Sequence, residues 1–322
     1  MIEQTPSIVV LDSLPLNPGD LDWSPLRALG NLTLHDNTSP DELEARIANA
    51  DAVFSNKVPV RGTAFAAAPK LKFIGVLATG YDIIDLDAAR QHSVTVSNVP
   101  SYSSDFTAQS TVALLLELTH HVGAHDAAVR EGEWANCKYF SFWNSPLVEL
   151  TGKTLVIIGL GKIGSKVGRI AAALGMKVIA AKLPGREAHS GEFLYLPLEE
   201  ALPQADVVSL HCPLTPQTRE IINAERIALM KPSVLVVNTA RGLLIDEPAV
   251  AAALRDRRIA GYAADVLSKE PPVPENPLLS APRSIITPHL SWASIECRSR
   301  LLGTSVENLK AFQAGTPQNV VS

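Results

Sequence analysis

The stretch Leu155-Val-Ile-Ile158 followed by Gly159-Leu-Gly161-Lys-Ile-Gly164 constrains this chain more than any other part of it. Four apolar residues in a row read as a short buried strand, and a helical pattern over 163–174 opens directly behind them. Between the two stand glycines at G-x-G-x-x-G spacing. Gly159 permits a tight turn, Gly161 lets a backbone approach a pyrophosphate, and Gly164 lets helix and strand pack closely. The helix start, reached through Lys162 and Ile163, presents N–H groups to that negative charge. Glycine triplets occur by chance in turns. A strand before and a helix behind turn this one into the expectation of a bound dinucleotide.

The same alternation runs through most of the 322 residues. Short apolar runs at 7–11, 52–55, 71–77 and 95–97 are separated by helical patterns at 42–49 and 85–91. After residue 153 the rhythm restarts, with strands expected at 154–158, 177–181, 207–210, 234–238, 261–265 and 284–287. Strands alternating with helices predict an α/β fold with parallel sheets covered on both faces. A continuous helical stretch is expected from about 104 to 129, and another over 294–314. Between them, Trp134, Tyr139, Phe140, Phe142 and Trp143 crowd into a loop-like segment, in a chain with 5% aromatic residues. Such a cluster is either core packing within one subunit or a partner surface.

Bulk properties remove several function classes. The formal net charge is −5 and no Lys/Arg stripe is present, so neither nucleic acid nor a membrane surface is expected as partner. Apolar runs are too short to span a bilayer. Cys137, Cys212 and Cys297 are far apart and unpaired in spacing, which indicates free thiols in a reducing cytoplasm and no metal site. The start, MIEQTPSIVVLD, has no basic segment before a long apolar one, so no export signal is expected.

An NAD-binding unit of this type usually carries Asp or Glu about 20 residues after the glycines, bonded to the ribose 2′-hydroxyl. Here the position is Lys182, and Arg186 follows. Two cations there would attract a 2′-phosphate, so NADP(H) is the expected cofactor and NAD(H) the alternative.

Arg241, Glu270 and His289 each follow a late strand, in Asn238-Thr-Ala-Arg241-Gly242, Lys269-Glu270-Pro-Pro272 and Thr287-Pro-His289. In open α/β sheets, sites form beyond the carboxyl ends of strands. Reduction of a 2-oxo acid needs a cation for the carboxylate and an acid for the new alkoxide. The planar Arg fork suits the first task, and His suits the second. A Glu on the far ring nitrogen would orient the imidazole and favour its charged form.

With these motifs the sequence resembles the D-isomer-specific 2-hydroxyacid dehydrogenase family over nearly its whole length. Further matching stretches are Ala78-Thr-Gly-Tyr-Asp-Ile-Ile-Asp85, Asn98-Val-Pro-Ser-Tyr-Ser103 and His211-Cys-Pro-Leu-Thr215. Residues 130–146 look most like the glycerate dehydrogenase/hydroxypyruvate (glyoxylate) reductase branch. The resemblance implies a flavodoxin-like substrate domain, 1–101 with 291–322, and a Rossmann-like cofactor domain, 102–290. It implies a homodimer joined through the cofactor domain by an arm at about 124–150. It places the substrate carboxylate on the amides of Thr79 and Gly80, with Asn56 and Lys57 nearby and Trp143 reaching a neighbouring site. Cys212, Pro213 and Thr218 correspond to the adenosine side of the cofactor pocket. Thr239 and Ala240 correspond to its nicotinamide end, and Asp265 to the residue bonding the carboxamide. Relatives that act on phosphonate, phosphite or 3-phosphoglycerate remain alternatives at this point. So do dinucleotide-sensing corepressors of the C-terminal-binding-protein type, which are not enzymes.

Overall fold

The computed structural model describes residues 5–183 and 192–322. The chain divides into two compact units, Met1–Ser103 with Trp292–Ser322, and Ser104–Ser291. Among the described residues each unit is built on one parallel sheet.

In the first unit β1 (Ser7–Val10), β2 (Asn31–Leu34), β3 (Ala52–Ser55), β4 (Phe73–Val76) and β5 (Thr95–Ser97) lie in the order β2-β1-β3-β4-β5. That is the flavodoxin-like order. Alternate residues of β1 serve opposite faces, as strand geometry requires. Ile8 and Val10 pack with Leu301 and Leu309 of the helix Ile295–Gln313, while Val9 packs with Leu43 and Ile47 of the helix Pro40–Ile47. The latter helix starts on a reciprocal box between Ser39 and Glu42, with Pro40 at its first position.

In the second unit the strands are β6 (Thr154–Ile158), β7 (Lys177–Lys182), β8 (Leu194–Pro197), β9 (Val207–Leu210), β10 (Leu235–Asn238), β11 (Gly261–Ala264) and β12 (Ser284–Ile286). Their order is β12-β11-β10-β9-β6-β7-β8, so the winding reverses between β6 and β9. This is the doubly wound Rossmann order extended by one strand. The apolar run of β6 is explained by burial on both faces. Leu155 and Ile157 belong to one apolar cluster with Leu114, Leu118 and Val167, and Val156 and Ile158 to another with Val250 and Leu254.

The sequence expectations need correction at three elements, one helical stretch and two strands. The helical stretch from 104 is two helices, Ser104–His120 and Val122–Arg130, because His121 adopts a left-handed conformation with φ of 51°. Strands β2 and β8 were not anticipated. No helix of the described residues is long and apolar enough to cross a membrane.

Candidate active site

The glycine loop follows β6, beside the point where the sheet order reverses. Gly159 has φ of +104°, and a Cβ there would lie 2.5 Å from the Cys212 amide nitrogen. Both facts demand glycine. A Cβ on Gly164 would run into the Gly159 carbonyl oxygen, so strand and helix meet there without a side chain between them. Gly161 differs. It caps the helix Lys162–Ala173, and a Cβ built on it would meet nothing within 4 Å. The space at the helix start is therefore open to a ligand, where the backbone N–H groups and the helix dipole favour a phosphate. The loop fits a dinucleotide on its own geometry.

The walls of this cradle come from neighbouring strands. Cys212 follows β9 and is buried; the His211 amide ties it to β6 by donating to the Ile158 carbonyl at 2.8 Å. Burial holds the His211 imidazole neutral, with a pKa pushed down to about 3. Pro213 is fixed by Thr218, whose hydroxyl donates to its carbonyl at 2.7 Å. Lys182 is exposed at the end of β7. Arg186 lies outside the described residues.

Arg241, Glu270 and His289 follow β10, β11 and β12, three adjacent strands. The Asn238 side chain shapes the first loop: its Oδ1 accepts from the Ala240 amide at 3.0 Å, and its Nδ2 donates to the Arg241 carbonyl at 2.9 Å. Exposed Arg241 donates through Nη1 to the Ala240 carbonyl at 2.7 Å. Gly242 brings this loop against the next one, since a Cβ there would overlap the Leu267 carbonyl carbon and the Ser268 nitrogen. Glu270 accepts from the Leu267 amide at 3.0 Å through Oε1, and its Oε2 lies 2.6 Å from His289 Nδ1. The two side chains are 33% and 31% exposed, sheltered yet open to a substrate.

His289 has φ of +55°, an uncommon conformation for a residue with a Cβ. Its amide donates to the carbonyls of Asp265 at 3.0 Å and Thr287 at 2.9 Å. The Asp265 carboxylate, 2% exposed, holds the rest of the turn. Its Oδ1 accepts from the Leu290 amide at 2.7 Å and the Thr287 hydroxyl at 2.6 Å, and its Oδ2 from the Ser291 amide at 2.7 Å. The resemblance assigned Asp265 to the cofactor carboxamide; the geometry gives it a loop-holding task. A carboxylate oxygen accepts two bonds, and among the described residues Oδ2 accepts one, so both tasks are compatible.

In the first unit, Thr79 and Gly80 follow β4. The Thr79 hydroxyl donates to the Val99 carbonyl at 2.8 Å, and Asn98 Nδ2 donates to the Thr79 carbonyl at 2.7 Å. Asn56, 4% exposed, points inward and donates through Nδ2 to the Leu77 carbonyl at 2.8 Å. It braces the turn from behind. Lys57 is exposed, and its amide and that of Asn56 donate to Asp12 at 2.6 and 2.8 Å. Desolvation raises the Asp12 pKa above the usual aspartate value.

The aromatic segment is largely uncovered in the single chain: Tyr139 is 77% and Phe140 91% exposed, and Trp134 and Trp143 are also exposed. Core packing therefore does not explain these four. The segment is held by Trp134 Nε1 donating to the Phe140 carbonyl at 3.0 Å and by Asn144 Nδ2 donating to Glu133 at 3.1 Å. Sequence reading missed Asp12, Asn98 and Asn238 as supports of these loops. It also missed Thr107 and Thr111, polar residues one turn apart on the buried face of Ser104–His120.

The sequence model described as D-isomer specific 2-hydroxyacid dehydrogenase, NAD binding domain, matches residues 112–291. The chain is 46% identical over 319 residues to a hydroxypyruvate reductase of Blautia hydrogenotrophica, covering 98% of this chain and 99% of that one. It is 40% identical over 285 residues to a glycerate dehydrogenase of Methylorubrum extorquens, covering 88% and 89%. A solved structure of an NADPH-dependent glyoxylate/hydroxypyruvate reductase from Sinorhizobium meliloti, with NADP and malonate, superposes with a TM-score of 0.81 at 26% identity. It covers 99% of this chain and 97% of that one.

Proposed function

This chain belongs to the D-isomer-specific 2-hydroxyacid dehydrogenase family, and from that premise we propose that it reduces hydroxypyruvate and glyoxylate to the D-2-hydroxy acids with NADP(H) as preferred cofactor. It is a nicotinamide-dependent oxidoreductase acting on a CH–OH group. The observation that carries the substrate reading is the 2.6 Å Glu270–His289 bond beside the Arg241 loop, on a sheet whose glycine loop fits a dinucleotide.

When bound, the reduced nicotinamide supplies the hydride. The residues of the chain do the rest. Arg241 holds the substrate carboxylate; Thr79, Gly80 and Lys57 keep the substrate-binding roles that the resemblance implies. His289, held through Nδ1 by Glu270, gives the proton on Nε2 to the carbonyl oxygen as it becomes an alkoxide. The Glu270 carboxylate orients the imidazole for that transfer. In the oxidative direction the same nitrogen takes the proton back.

The preference for NADP(H) rests on Lys182 and Arg186 at the position where an acid would repel the 2′-phosphate. The exposed Trp134, Tyr139, Phe140 and Trp143 support a homodimer joined through the cofactor domain, in which a second copy covers them and Trp143 reaches the neighbouring site. The cytoplasm is the compartment that suits its free thiols. A panel of 2-oxo acids assayed with NADPH and with NADH tests the whole reading. Highest kcat/KM for hydroxypyruvate or glyoxylate with NADPH is the expected result, and no turnover of any 2-oxo acid overturns it.

A further inference from the structure

The loops carrying Arg241 and His289 are joined by a buried chain of hydrogen bonds that runs through the helix Ser104–His120. At one end Thr239, two residues before Arg241, has its hydroxyl 2.7 Å from the Thr111 hydroxyl. Thr111 gives its own proton to the Thr107 carbonyl at 2.8 Å. A carbonyl only accepts, so Thr239 is the donor to Thr111. One turn earlier the Thr107 hydroxyl donates to the Ser291 carbonyl at 2.9 Å. The Ser291 amide donates to Asp265 Oδ2, and Asp265 holds Leu290, Thr287 and the His289 amide as described.

Thr107, Thr111, Thr239, Asp265 and Ser291 are each no more than 8% exposed. Water is thus poorly placed to replace the links that Thr239 and Ser291 make to the helix. The spacing of four residues puts both helix threonines on one face. If burial alone were required of that face, valine would serve as well. The hydroxyls do something valine does not: they set the distance between two loops that follow different strands.

We propose that Thr107 and Thr111 are positioning residues for the reaction, fixing the Arg241 loop and the His289 loop in one register so that guanidinium and imidazole meet the same substrate. This rests on the function proposed above. Small misplacements of reacting groups cost large factors in rate.

The test uses Thr111→Val, Thr107→Val, their double variant and Thr111→Ser in the full chain. Hydroxypyruvate reduction with NADPH gives kcat and both KM values. Hydrogen exchange of the 287–291 segment reports on the loop whether or not substrate turns over. Each valine variant should lower kcat about 10- to 100-fold with the KM for NADPH within about threefold of wild type. The double variant should lose no more than the worse single variant, because the chain is already cut. Thr111→Ser should restore kcat to within about threefold. Exchange at 287–291 should speed up about tenfold in each valine variant. Unchanged kcat and unchanged exchange in the valine variants overturn the proposal, as does a double variant whose loss is the product of the two. If Thr111→Val does not fold, Thr107→Val carries the same expectations. A wild-type protein that reduces no 2-oxo acid overturns the function instead, and exchange still decides whether the threonines hold the loop.

Discussion

Nδ1 of His289 lies 2.6 Å from Oε2 of Glu270, which leaves Nε2 as the imidazole nitrogen that faces outward to a substrate. A carboxylate only accepts, so the proton between them sits on Nδ1. Replacing Glu270 by Gln keeps the size and removes the charge. The expected result is a fall in kcat on the order of 10- to 100-fold. A kcat for hydroxypyruvate reduction equal to that of the wild type removes Glu270 from the mechanism.

Arg241→Ala should strike binding and turnover together. The substrate carboxylate loses a charge-assisted bond, worth about 1.5–3 kcal/mol, or roughly 10- to 150-fold in kcat/KM. Steady-state kinetics with glyoxylate and hydroxypyruvate check this. Activity equal to wild type would assign the carboxylate to another cation.

The glycine loop separates folding from binding. Gly159→Ala meets the Cys212 backbone at a φ of +104° and should lower Tm and cofactor affinity together. At Gly161 a Cβ meets nothing of the protein within 4 Å. Gly161→Ala should therefore keep the wild-type Tm while weakening NADPH binding. Thermal melts and quenching titrations of the two variants measure both quantities, and a destabilised Gly161→Ala would contradict the open space seen there.

Lys182→Asp should reverse the cofactor preference. A carboxylate at the exposed end of β7 repels a 2′-phosphate, and like charges brought together cost several kcal/mol. The ratio of kcat/KM for NADPH to that for NADH should drop by roughly tenfold or more. An unchanged ratio would place the 2′-phosphate elsewhere.

How much of this could be read beforehand depended on how strict the local chemistry is. Gly159 and Gly164 were legible because backbone atoms occupy the space of any side chain. Arg241, Glu270 and His289 were legible because each follows a recognisable strand. Strands β2 and β8 were not: both are sheet edges, β2 alternates polar and apolar residues, and the apolar run of β8 ends at once on Pro197. The helix break falls on His121, which no glycine or proline announces. The loop-holding bonds of Asn56 and Asp265 were not legible, because their partners lie 21 to 26 residues away in the sequence. Thr107 and Thr111 look like any helix threonine until their partners, 184 and 128 residues away, are in place.

Stability against acid should show the trace of a single ion pair. Arg298, 7% exposed, holds Asp20 by two bonds of 2.6 Å, and this hydrogen bonding keeps the Asp20 pKa below its ordinary value of 3.8. A carboxyl depressed on folding stabilises fully above its unfolded pKa and loses that contribution as pH falls through the folded value. Asp20→Asn should thus lower Tm at pH 7, and the gap to wild type should begin to narrow only once pH falls below the ordinary aspartate value of 3.8, closing in stronger acid. A gap that persists unchanged in acid would mean the loop is held by shape and not by charge.

Gly242 seats the cation's loop directly on the peptide that leads to the proton donor's carboxylate. Cation and acid thus share one footing, and neither can be shifted to suit a new substrate without disturbing the other. Redesign for bulkier 2-oxo acids should leave 238–242 and 265–271 untouched and vary side chains that stand apart from that joint.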